Sequence, residues 1–156
     1  MAIGSTDFSL SIVSCVIVDE EHDKVLLEHE DESYTGPYST VQTLGDELLH
    51  LKDTGGWVES IAFSPDAAAL VYAVHNGTLG SVLINENQEA KPVSGYLTLP
   101  NLPVKTLLFV APGQIVAAGY DGRPFLVTLE ADGQLKFSVV CEKLLSQVTT
   151  VKQTNV

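Results

Sequence analysis

A chain of 156 residues with twenty acidic side chains against eight Lys and Arg carries a formal net charge of −12, which argues against a phosphate-binding surface and against nucleic acid as a partner. Its apolar stretches are too short and broken for a membrane helix, which needs about 20 residues, and no signal peptide opens it, so the expected compartment is the cytoplasm. Cys15 and Cys141 lie far apart inside apolar strand candidates and read as reduced, buried thiols, while His22, His29, His50 and His75 have no metal-ligand spacing.

In chain order, Ser9 to Val18 alternates Ser with Val, Ile and Cys and predicts one long strand or two short ones. Asp19 to Glu32, DEEHDKVLLEHEDE, is the most acidic stretch; it reads as a solvated insertion carrying one strand at Val25-Leu26-Leu27, or as a docking loop for a basic partner steered by complementary charge. Gly36-Pro37 marks a turn. Thr40 to Lys52 fits either a helical stripe or a short outer strand at Glu47 to Leu51, and the strand is preferred because it completes a sheet before Gly55-Gly56.

Gly55 to Ile84, GGWVESIAFSPDAAALVYAVHNGTLGSVLI, holds three apolar runs separated by turn signals about ten residues apart. Val58 to Ser64 and Leu70 to Val74 are strands joined by the Ser64-Pro65-Asp66 turn, and Asn76-Gly77 predicts a type I′ hairpin that folds Leu79 to Ile84 back beside Leu70 to Val74. Asn85 to Val93 is a polar connection, Gly95 to Leu99 a fourth, outer strand, and Pro100 and Pro103 bracket a crossover. Lys105 to Val110, Gln114 to Gly119, Pro124 to Leu129 and Leu135 to Val140 repeat the set, with Asp132-Gly133 as the last hairpin turn. Glu142 to Val156, rich in Gln, Thr and Val without a turn signal, is either a strand or a tail.

The two four-strand sets are copies. Phe63 and Phe109 are 46 positions apart, Leu70-Val71 and Ile115-Val116 are 45 apart, and so are His75-Asn76-Gly77 and Tyr120-Asp121-Gly122. A weaker third copy opens the chain, where Ser5-Thr6-Asp7 precedes Leu10 to Val18. A period of roughly 40–45 residues with four strands each is that of WD-repeat β-propeller blades. The expected fold is therefore all-β: a propeller fragment with a partial blade and acidic loop over 1–52, complete blades over 53–101 and 102–142, and a tail over 143–156. Closed propellers use about 4–8 blades, so the chain should be a fragment with apolar flanks, and in isolation it should self-associate. In the core, Val58, Ile61, Phe63, Leu70, Tyr72 and Val82 are expected to pack on Leu107, Phe109, Val116, Phe125 and Val127 of the next blade.

The pattern Gly56-Trp57-Val58, Phe63-Ser64-Pro65, Val116-Ala117-Ala118-Gly119, Asp121 and Pro124 resembles two consecutive blades of the WD-repeat subunits of the actin-related protein 2/3 complex, the actin-filament branching assembly. The likeness covers Gly55 to Phe137, with Tyr120 where that family tends to have His and Asn76 where it tends to have Asp. It implies a non-catalytic scaffold in the actin cytoskeleton, with the other subunits and actin as partners. The alternative is a WD-repeat adaptor unrelated to actin, since the fold alone does not assign a function.

No stretch carries catalytic logic: there is no nucleophile elbow, no phosphate-cradling glycine loop and no paired carboxylates, so neither an enzyme nor a cofactor is expected. Asp66, Asp121 and Asp132 sit at turns, where a carboxylate accepts backbone N–H bonds. Trp57 serves either as core packing or as an exposed anchor at the propeller mouth. Together with His75, Tyr120 and Arg123 it forms the expected partner-binding set.

Overall fold

The computed structural model describes residues 1–15, 18–19, 24–25, 44–84, 94–99 and 103–140. Its elements are all strands: β1 Ala2–Gly4, β2 Leu10–Val13, β3 Val18–Asp19, β4 Lys24–Val25, β5 Glu47–Leu51, β6 Val58–Phe63, β7 Ala69–Val74, β8 Thr78–Leu83, β9 Ser94–Thr98, β10 Val104–Ala111, β11 Gln114–Gly119, β12 Phe125–Leu129 and β13 Leu135–Val140. They pair antiparallel into a three-stranded sheet β1-β2-β5, two four-stranded meanders β6-β7-β8-β9 and β10-β11-β12-β13, and a small β3-β4 pair. Of the acidic Asp19 to Glu32 stretch only Asp19 and β4 are described, and the tail beyond Val140 lies outside the described residues, as does Cys141.

The turns account for the register. Within Val74 to Gly77 the Gly77 N–H returns to the Val74 carbonyl at 3.0 Å, Gly77 has φ of 86°, and the Asn76 carboxamide accepts the Thr78 N–H at 2.9 Å. Asn76 does not itself adopt positive φ, so the predicted type I′ turn is replaced by a type I turn followed by a left-handed glycine. Gly119 to Gly122 and Glu130 to Gly133 repeat the device, with Asp121 and Asp132 accepting the second N–H beyond each. At the first sheet Asp7 caps Ser9 in the same way, but Phe8 stands at the left-handed position with φ of 71°.

The three sheets stack face to face. Between the first and second lie Leu10 and Ile12 against Leu70, Tyr72, Val74, Val82 and Ile84, with Val58, Ile61 and Phe63 at the margin. Between the second and third lie Val71, Ala73, Leu79 and Leu99 against Val104, Leu107, Ile115, Ala117, Phe125 and Val127. This corrects the expected core. Val58, Ile61, Phe63, Leu70, Tyr72 and Val82 face the preceding sheet, and the alternate residues of β7 and β8 face the following one; Val116 also points away from the second sheet. Successive strand residues point to opposite faces, so a set read one step out of phase belongs to the other neighbour.

Ser81 is a polar residue set deep between the second and third sheets. Fully buried, it accepts the Gly95 N–H at 3.1 Å and donates to the Gly133 carbonyl of the next sheet. Cys15, expected to be buried, is exposed, because β2 ends at Val13 and the bonds between Ser14, Gly45 and Asp46 close the ladder before it.

Candidate functional site

β6 and β10 each open with a β-bulge. Val58 pairs with Val74 and Ser60 with Ala73, leaving Glu59 as the extra residue; Val104 pairs with Gly119 and Thr106 with Ala118, leaving Lys105. A bulged residue is released from the alternation of its strand and can aim its side chain along the sheet end. Glu59 and Lys105 use that freedom to form an ion pair across the boundary between the second and third sheets.

The remaining contacts extend from this pair. The second Glu59 oxygen, Oε1, lies 2.7 Å from His75 Nδ1, and the His75 ring stacks on Trp57 with centroids 5.1 Å apart and planes at 38°. On the other side Lys105 Nζ sits 5.0 Å from the centroid of the Tyr120 ring, a cation–π contact. The result is a continuous surface ladder, Trp57, His75, Glu59, Lys105, Tyr120, crossing two sheets at the end where β6 and β10 begin and β7 and β11 finish. Lys105, followed by His75, holds the Glu59 carboxyl below its usual range, and Glu59, followed by Tyr120, raises the Lys105 ammonium.

The backbone beneath the ladder is firmly held. His75 N–H donates to the Trp57 carbonyl at 2.8 Å, and Asn76 Nδ2 to the Gly55 carbonyl at 3.1 Å. The buried Thr54 hydroxyl donates to the Gly56 carbonyl at 2.8 Å, and Asp53 accepts the Gly55 N–H at 2.9 Å. Gly56 has to be glycine here, since a Cβ would fall 2.7 Å from Val74 Cγ1. On this rigid base Trp57 is 47% exposed and Tyr120 58% exposed, large aromatics presented to solvent and not packed in the core.

Three of the four expected partner-binding residues, Trp57, His75 and Tyr120, thus share one ladder. Arg123 lies in the turn just beyond Tyr120, with its backbone N–H on Asp121 at 3.2 Å, and among the described residues no ion pair ties its guanidinium to the ladder. Glu59 and Lys105, which join the aromatic ends, were not singled out in the sequence. Their signal was there: VESIAF and VKTLLF place opposite charges at equivalent positions 46 residues apart.

At the opposite end of the same two sheets an open groove of about 420 Å³ is lined by Ser64, Asp66, Leu83, Pro112, Leu129 and Glu130 among others. Asp66 is taken up by the Ser64 hydroxyl at 2.5 Å and the Ala68 N–H at 3.1 Å, and Glu130 by Lys136 at 2.6 Å. Both carboxylates are thus engaged by the protein's own donors.

No family model matches the chain. It is 26% identical over 139 residues to actin-related protein 2/3 complex subunit 1A-B of Xenopus laevis, covering 88% of this chain and 34% of the relative. To actin-related protein 2/3 complex subunit 1 of Schizosaccharomyces pombe it is 34% identical over 74 residues, 47% of this chain and 20% of that one. The chain therefore spans about a third or less of the length of these relatives. Among solved structures, that of Saccharomyces cerevisiae Sqt1 superposes on 89% of the chain with a TM-score of 0.61 at 14% identity, covering 31% of that protein. The WD40 β-propeller domain of Doa1 matches 86% of the chain and 34% of its own, with a TM-score of 0.47 and 16% identity. The fold is that of a WD-repeat propeller segment. In such a segment the ladder lies on one rim of two adjacent blades, across their shared boundary.

Proposed function

We propose that this propeller segment belongs to a non-catalytic scaffold of the actin-related protein 2/3 complex type, supporting actin filament nucleation and branching through protein–protein contacts. The observation that carries the reading is the similarity over 139 residues to relatives named as subunit 1 of that complex, on a chain built of propeller blades. The cytoplasm, at the actin cytoskeleton, is the compartment this reading requires, with the other subunits and actin as partners. The rim around Trp57, His75, Tyr120 and Arg123 is the contact surface in this proposal. What supports it is chemistry: exposed aromatics and Arg beside a rigid, hydrogen-bonded base are the side chains that dominate interface energetics.

Affinity capture of the tagged chain from a cell extract tests the assignment. Actin-related proteins and the other subunits should co-purify in stoichiometric amounts, and Trp57→Ala, on an exposed side chain, should reduce capture at least tenfold without loss of folded protein, about 1.4 kcal/mol. Capture of a defined set of proteins lacking actin-related members would overturn the actin reading and favour a different WD-repeat adaptor.

A further inference from the structure

Trp57 stands at the entry to β6 in the second sheet and Tyr120 at the exit of β11 in the third, and the ladder between the two rings is made of side chains throughout. Glu59 is its midpoint. Both of its carboxylate oxygens are used, one toward each sheet: Oε1 lies 2.7 Å from His75 Nδ1, and Oε2 accepts from the Lys105 ammonium. His75 stacks on Trp57, and Lys105 lies against the Tyr120 ring. Glu59 is the least exposed of the five at 15%, while the four side chains it gathers are open to solvent. A partner laid on this rim meets those four before it meets Glu59.

The residue type follows from the geometry. An ionised carboxylate only accepts, so His75 Nδ1 carries the hydrogen of its bond, and two donors approaching from two sheets are met by two acceptor atoms on one side chain. The bulge that opens β6 supplies the direction, since Glu59 is freed from the alternation of the strand and can lie along the sheet end. Left unheld, exposed side chains turn among rotamers, and ordering each of them at an interface subtracts from affinity; side chains ordered in advance avoid that loss.

We infer that Glu59 is the positioning residue of this rim, holding Trp57 and Tyr120 as one preformed surface for a single partner segment that crosses the boundary between the two sheets and touches both rings. This role rests on the reading of the rim as the contact surface, to which it adds a residue that acts through its neighbours.

The chain has one tryptophan, so time-resolved fluorescence anisotropy, excited outside the tyrosine band, reports the mobility of Trp57 with no partner present. Glu59→Ala should at least roughly double the amplitude of the fast component, at a temperature where circular dichroism shows both chains folded. In capture from a cell extract, Glu59→Ala should bind at least about fivefold less of the proteins the parent chain retains, quantified by mass spectrometry. That loss should disappear in a Trp57→Ala, Tyr120→Ala background, where a change in overall stability would still lower capture, and the two ring substitutions together should lose less than the product of their single losses. The double reversal Glu59→Lys with Lys105→Glu keeps the bond between the sheets but sets a carboxylate against the electron-rich face of Tyr120, so it should regain the thermal midpoint and not the capture. Unchanged Trp57 mobility in Glu59→Ala, a loss of the same size in both backgrounds, or a double reversal that captures like the parent would each overturn the positioning role while the contact reading stands. A parent chain that retains no protein would overturn the contact reading, and the positioning role with it.

Discussion

Glu59 and Lys105 stand 46 residues apart, each the extra residue of the β-bulge that opens its sheet, and they bond to one another across the boundary between those sheets. Their charges are opposite although their positions are equivalent, so the two bulges are complementary across the boundary. Glu59→Lys and Lys105→Glu should each lower the thermal midpoint by placing like charges together, and the double reversal should restore most of the loss. Raising salt should shrink all three differences, because the Lys105 ammonium is open to solvent and Glu59 only partly covered. The Glu59 carboxyl is depressed in the folded state, so its stabilising effect is complete above the ordinary carboxylate range and is lost as pH falls through the lower, folded value. An acid titration of the midpoint in parent and Glu59→Gln chains checks the sign: the gap between them should close toward low pH.

Phe8 occupies the left-handed position that glycine holds in the three equivalent turns. Its ring is half exposed, while its carbonyl accepts the Thr54 N–H at 2.9 Å, so the backbone is held in place despite the side chain. Phe8→Gly should stabilise the chain by about 1 kcal/mol in urea denaturation, and Phe8→Ala should not. A loss on Phe8→Gly would show that the ring contributes more than the backbone strain costs.

Ser81 joins β8, β9 and the Glu130 to Gly133 turn of the next sheet through one buried hydroxyl. Ser81→Ala strands the Gly133 carbonyl and the Gly95 N–H, and should cost about 1–3 kcal/mol. The same denaturation series should show Ser81→Val to be worse, since it forces two methyls into a fully buried position where the hydroxyl served two backbone groups.

Tyr72 is fully buried, its ring lies against Gly80, and its hydroxyl is without a partner among the described residues. Burial, with the Tyr96 phenol next, pushes its ionisation far above the ordinary range, so it stays neutral. Tyr72→Phe should be neutral or stabilising by up to about 1 kcal/mol, because it removes an unsatisfied polar atom without opening a cavity. Gly80→Ala should be severely destabilising, since the new methyl would collide with the ring.

Much of this was legible in the residues. The repeat of 45 to 46 residues, the Asn-Gly and Asp-Gly turns and the β-branched runs mark strands and sheet order locally, through backbone preferences that depend on nothing distant. Trp57, His75 and Tyr120 could be singled out because aromatics at turn positions stand out against a polar rim. Which neighbour each strand face meets was not legible. Alternation says that Leu70, Tyr72 and Val74 share a side, but both sides of β7 are fully buried, and only the stacking of three sheets assigns that side to Leu10 and Ile12 and the Val71–Ala73 side to Ile115 and Phe125. The ladder needed the same information. Glu59 reaches Lys105 only because two bulges release both residues from their strands and packing sets the strands side by side, and neither the bulge nor the distance is written in any local stretch of the chain.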